Sequence, residues 1–181
     1  MKVLIAFIAG LVTAFLASNA TGLLVGSTTA FSLVAIAPPI EEACRISALY
    51  LLASRFKTSM RLPALLAFTV GIALIEFLWH LTYNNHFQPP ATFMFANVAP
   101  FVAVALHLLN SVIAGRFVRR RQAPAAAFVC IPIHMAFNAY VVFVFSSLPP
   151  WAQDTEIPLR LLLLLCATYL VMTRPEADEA S

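Results

Sequence analysis

The sequence predicts an all-α, polytopic membrane protein: a bundle of about six transmembrane helices. Three observations predict it. Of the 181 residues, 61% are hydrophobic and only 10% charged, against roughly a quarter charged in an average soluble domain. The mean hydropathy is +0.88, so there is more apolar surface than one core of this length hides from water. The apolar residues also fall into runs of membrane-spanning length, separated by short polar loops. A soluble globular domain and an intrinsically disordered chain are both excluded. The net charge of +3 does not point to nucleic acid, because the basic residues lie in short clusters between apolar runs, as in cytoplasmic loops.

Taken in order, the runs are Val3–Ser18, Leu23–Ser54, Leu62–Thr82, Ala91–Gly115, Pro124–Ser147 and Ile157–Thr173. Each is judged against the roughly 30 Å of hydrocarbon that a helix crosses at about 1.5 Å per residue. The first, followed by Ser18-Asn19-Ala20, also has the form of a signal peptide, but the spans that follow at once favour a retained helix. The second is too long for one straight span. Pro38 and Pro39 lack backbone donors and are expected to break it just before Ile40, and two full crossings there would make seven spans. Arg55, Lys57 and Arg61 fill one short loop and Arg116, Arg119, Arg120 and Arg121 another, so both are expected on the cytoplasmic side. Ser146–Glu156 carries only acidic charge and faces outward, which leaves both termini inside for six spans. Residues 1–173 read as one integral membrane domain and 174–181 as a short polar tail. Cys44, Cys130 and Cys166 have no CxxC spacing and read as small core residues.

Ionisable residues inside spans cost about 2.5–3.5 kcal/mol each on insertion scales and so need partners or a function. They are Glu41, Glu42 and Arg45 after the double proline, Glu76 in the third run, His107 with Asn110 and Ser111 in the fourth, and His134 with Asn138 in the fifth. Glu41 and Arg45, His107 and Ser111, and His134 and Asn138 are each four apart, one polar stripe per helix. Counted from the basic loops at about 1.5 Å per residue, His107 lies about 13 Å deep, Arg45 and His134 about 15 Å, and Glu41, Glu76 and Asn138 about 20 Å. Four helices thus place polar groups in one layer. Three carboxylates against one arginine leave at least one acid without a cation. His80, His86 and Arg160 fall outside the layer, with Arg160 expected to snorkel outward. Asn110 and Ser111 read as interhelical packing and hydrogen-bonding residues.

The segment Pro39-Ile40-Glu41-Glu42-Ala43-Cys44-Arg45 resembles the EExxK/R motif of the PrsW-type intramembrane proteases, relatives of the CAAX-processing and bacteriocin-immunity protease families and of the Aph-1 subunit of γ-secretase. Glu76 resembles that family's lone glutamate in the next helix, His107-x-x-x-Ser111-x-x-x-Gly115 its HxxxSxxxG segment, and His134-x-x-x-Asn138 its closing HxxxN. The resemblance covers roughly Phe31 to Tyr140. It departs at Phe77, where the family often has Asn, and at Arg45, where it often has Lys.

The resemblance implies an intramembrane endopeptidase that cleaves a single-span membrane protein or a membrane-bound peptide, in a bacterial cytoplasmic membrane. Amide hydrolysis needs an activated water, a base and oxyanion donors. Glu41 or Glu42 is expected to act as general base and Arg45 to keep one of the pair ionised. His134 and Asn138 are expected to serve the oxyanion or the leaving amine, and His107 and Glu76 to complete the water site. No cofactor is the favoured expectation; a zinc ion held by Glu76, His107 and His134 is the alternative, without the HExxH helix that places two ligands and a base together. A non-catalytic membrane scaffold or immunity-like protein uses the same polar cluster to hold helices and a partner. A small transporter also uses buried carboxylates and broken helices, but no internal repeat accompanies them here.

Overall fold

The computed structural model describes residues 1–25, 29–58, 60–83 and 99–173, and all regular structure among the described residues is helical. The helices are α1 (Lys2–Val25), α2 (Ala37–Ser54), α3 (Leu62–Tyr83), α4 (Ala99–Arg119), α5 (Ala123–Phe143) and α6 (Pro150–Thr173). A π-helical turn, Ser32–Ile36, leads into α2, and a 3-10 turn, Phe145–Ser147, follows α5. Among the described residues four stretches are long and apolar enough to cross a membrane: Lys2–Leu23, Phe101–Arg119, Ala123–Ser147 and Pro150–Thr173. The apolar part of α3, Leu62–Glu76, is shorter, and α2 carries Glu41, Glu42 and Arg45 within its 18 residues.

The break expected just before Ile40 is absorbed about one turn earlier. Pro38 and Pro39 sit in the first turn of α2, where a missing N–H leaves no intrahelical bond unmade. The carbonyls four residues before them have no i+4 donor, and the backbone widens: the Ala37 N–H reaches back five residues to the Ser32 carbonyl. This is a π-bulge at a proline pair. Two helices are longer than their apolar runs. α1 continues through Asn19, whose Nδ2 donates to the Phe15 carbonyl at 2.7 Å. α6 starts at Pro150 rather than Ile157, because Gln153 Nε2 bonds the carbonyls of Phe145 (3.2 Å) and Leu148 (2.9 Å) and so satisfies the turn before it. Pro132 and Pro158 lie inside α5 and α6 without ending them.

Consecutive helices alternate in direction. Lys2 Nζ donates to the Lys57 carbonyl at 2.9 Å, joining the start of α1 to the α2–α3 loop. Gly115 near the end of α4 packs on Leu65 near the start of α3. Arg116 Nη2 donates to the Met172 carbonyl at 3.3 Å, joining the ends of α4 and α6. The α4–α5 turn is closed by the Arg121 and Gln122 N–H groups on the Val118 and Phe117 carbonyls, the Schellman pattern with Arg121 left-handed at φ 60°. All the described basic loop residues therefore share one end of the bundle. At the other end Arg160 reaches back one turn to pair with Glu156 and lies 3.3 Å over the Tyr140 ring.

α4 is the central helix: Leu109, Val112 and Ala114 are buried in one cluster with Leu49, Leu65, Phe68, Ala126 and Cys130. α6 leaves Leu162, Leu163, Tyr169 and Leu170 exposed, as a lipid-facing helix does. Cys130 is buried, Cys44 is half-buried and Cys166 is exposed, so the reading of all three as core residues holds for Cys130 only. α1 packs chiefly on α3, and there a Cβ at Gly10 would fall on the Phe68 carbonyl and one at Gly71 on the Phe7 carbonyl. Close approach of this kind is what small residues permit in a membrane bundle. Gly71→Leu is expected to lower thermal stability in detergent by about 1–3 kcal/mol or more through overpacking, whereas Gly22→Ala, with nothing within 4 Å of the added Cβ, leaves the melting temperature unchanged or slightly raised. Equal melting temperatures for Gly71→Leu and wild type would contradict the packing of α1 on α3.

Candidate active site

Three helices converge on one oxygen. Glu42 follows the prolines on α2, and its spacing from Arg45 puts both side chains on the buried face of that helix. Glu42 Oε1 accepts from Arg45 Nη1, from Asn110 Nδ2 of α4 at 2.8 Å and from His134 Nδ1 of α5 at 2.7 Å. Glu42 is fully buried and Arg45 nearly so. A carboxylate in such a place is tolerated only when charged donors surround it.

Arg45 carries the network further, since its Nη2 meets His107 Nδ1. A guanidinium donates only, so Nδ1 of His107 is the acceptor and its proton is on Nε2. That nitrogen faces Glu76 Oε1 of α3 at 2.8 Å. The chain Glu76, His107, Arg45, Glu42, His134 then closes on Glu41, whose Oε2 lies 3.5 Å from His134 Nε2. The two imidazoles stand edge to face, 5.5 Å between centroids. Six of the seven expected site residues thus form one connected cluster.

The carboxylates are not equivalent. Glu42 is 0% exposed, whereas Glu41 and Glu76 keep 29% and 28% of their side chains exposed. With Arg45 they line a cleft of about 320 Å³, whose opposite wall is the Thr13–Gly22 part of α1 and which Leu33 and Ala37 flank. Glu42 Oε2, Arg45 Nε and Asn110 Oδ1 are buried with no hydrogen-bond partner among the described residues. A network whose only task is to hold helices together is normally satisfied throughout.

Asn138 is placed elsewhere. Its Nδ2 donates to the Leu33 carbonyl at 2.9 Å, so it ties α5 to the π-helical turn rather than joining Glu42 and His134. A π-turn leaves carbonyls in need of donors, and Asn138 supplies one. Asn110, read from the sequence as an interhelical packing and hydrogen-bonding residue, does bond between helices, and its partner is Glu42 of the site itself. The signal was available: Asn110 lies three residues from His107, on the same helix face. Ser111 does act between helices, accepting from Thr69 Oγ1 at 3.2 Å. The side chain of His80, and His86 entirely, lie outside the described residues.

For a metal, the expected set was Glu76, His107 and His134. His107 has both ring nitrogens engaged, one by a permanent cation, and His134 has Nδ1 on Glu42. Among the described residues no group of three or more His, Cys, Asp or Glu side chains is arranged to hold a metal ion.

Comparison of the chain with protein-family models, with curated proteins and with solved structures gives no match.

Removing Arg45 while Glu42 remains leaves a buried carboxylate without its cation. Arg45→Met is expected to cost about 3–5 kcal/mol, and Asn110→Ala about 1–3 kcal/mol. The double variant Glu42→Gln/Arg45→Met should recover part of the single-variant loss, because no uncompensated charge is left. Thermal unfolding in detergent measures all three, and strict additivity of Glu42→Gln and Arg45→Met would show that the two side chains do not interact.

Proposed function

We propose that the protein is an intramembrane endopeptidase of the PrsW type, hydrolysing a peptide bond of a single-span membrane protein or a membrane-bound peptide. One observation carries the reading: two partly exposed glutamates, Glu41 and Glu76, face a cleft while a buried Glu42–Arg45–His134–Asn110 network lies behind them. A general base must reach its water. Glu41 does so and Glu42 does not, which makes Glu41 the base and Glu42 the group that positions Arg45 and His134.

In this reaction Glu41 takes a proton from water as the water oxygen bonds to the scissile carbonyl carbon. The charge that develops on the carbonyl oxygen is stabilised by the field of the Arg45 guanidinium, strong because the site is sheltered from bulk water, and by His134. The C–N bond then breaks as the proton on Glu41 passes to the leaving amine nitrogen. Glu76, held by His107, completes the water site. No metal is needed in this scheme: Arg45 already supplies the cation beside His107, both of whose ring nitrogens are engaged.

The membrane placement belongs to the same proposal. Six crossings of a bacterial cytoplasmic membrane, with both termini and both basic loops inside, agree with the alternation of helix directions and with the gathering of Lys2, Lys57, Arg116 and Arg121 at one end.

Glu41→Gln is expected to cut the cleavage rate of a membrane-tethered reporter by about 10²-fold or more while the melting temperature stays near wild type. Chelators should leave the rate unchanged. Full activity of Glu41→Gln sinks the assignment of the base. Absence of cleavage by the wild type, with intact binding of a partner protein, would instead indicate a scaffold, and loss on chelation with recovery on adding zinc would indicate a metalloprotease.

A further inference from the structure

A second concavity lies away from the glutamates, between the basic ends of α4 and α6, with a volume of about 440 Å³. Ile113 and Phe117 on α4 and Ala167, Leu170 and Val171 on α6 form its apolar wall, and Arg116 and Arg120 stand one helical turn apart along the same groove. Along α4 Ile113 precedes Arg116 and Phe117 precedes Arg120, so the groove is apolar at Ile113 and cationic at Arg120, at the end of the bundle. Leu170 is 61% exposed, so the groove opens sideways, toward where lipid lies. Arg116 is held in place by its bond to the Met172 carbonyl, and both arginines also engage other groups of the chain.

We propose that this groove is a binding site for one anionic phospholipid of the leaflet on the basic side. The match is one of charge and shape together. A guanidinium fork fits phosphate oxygens in a bidentate manner, basic pockets between helices at this level of a membrane recruit anionic headgroups, and the acyl chains cover Phe117, Ala167 and Leu170. A soluble anion makes no use of the apolar wall, and a neutral lipid makes none of the arginines. The bound lipid bridges α4 to α6. Neither arginine belongs to the Glu42 network, so the site stands or falls independently of the proposed peptidase activity.

The test uses the full chain in a neutral detergent, with native mass spectrometry and thermal unfolding on addition of phosphatidylglycerol, phosphatidylcholine or inorganic phosphate. Phosphatidylglycerol is expected to be retained at one per chain and to raise the melting temperature, and the other two are not. Arg120→Gln, at an exposed position, should weaken phosphatidylglycerol retention about tenfold. Ala167→Phe, which fills the apolar wall without changing charge, should weaken it as well. Arg55→Gln in the other basic loop should not. Equal stabilisation by phosphatidylcholine or by inorganic phosphate overturns the proposal, as does an equal loss in Arg55→Gln, which would mark a diffuse charge effect. Unchanged retention in Arg120→Gln overturns it even if Ala167→Phe fails to fold.

Discussion

The structure depends on keeping a carboxylate ionised where no water can reach it. Glu42 Oε1 draws donors from its own helix, from α4 and from α5, and each of those donors has a second attachment. Arg45 runs on to His107, Asn110 reaches the Cys130 carbonyl at 3.5 Å, and His134 faces Glu41. A charge placed alone at this depth would be expelled or neutralised. Shared among three helices, it instead specifies which faces of α2, α4 and α5 meet. Apolar packing alone does this poorly in a membrane, because lipid tails are as apolar as leucine.

The same constraint accounts for the division of labour among the glutamates. Adjacent residues on a helix point about 100° apart, so the pair at 41 and 42 cannot both be buried in the same contact. One goes into the network and the other to the cleft. α1 closes that cleft, and the Gly10–Gly71 crossing holds α1 against α3. Small and hydroxyl-bearing residues such as Thr13, Ala17 and Ser18 face the carboxylates from across the gap. The proline pair sets the entry: the π-helical turn it imposes takes up Asn138 through Leu33 and so positions the first turn of α2, where the glutamates begin.

Much of this was legible in the chain. The helical class follows from apolar runs with almost no charge, and the side on which the basic loops gather follows from where arginine occurs. Helical spacing and depth brought Glu41, Glu42, Arg45, Glu76, His107 and His134 into one layer. Asn138 obeys the same spacing and depth yet leaves the cluster, because depth places a residue along the bundle axis and says nothing about rotation. Asn110 shows the converse. Polar but uncharged, it resembled many interhelical asparagines, and only the position of Glu42 on a neighbouring helix makes it a ligand. Both α1 and α6 run past their apolar segments; for α6 the reason is local, since Gln153 satisfies carbonyls of the turn before it.

The sequence by itself determined the solvent, the helices and the inventory of costly groups, because transfer free energy and helical periodicity are properties of composition and spacing. Only the tertiary structure decided which carboxylate is buried, which tautomer His107 adopts and which residues face the cleft. Those depend on the azimuth of each helix about its axis, and azimuth is set by partners remote in sequence: 68 residues separate Glu42 from Asn110, and 92 separate it from His134.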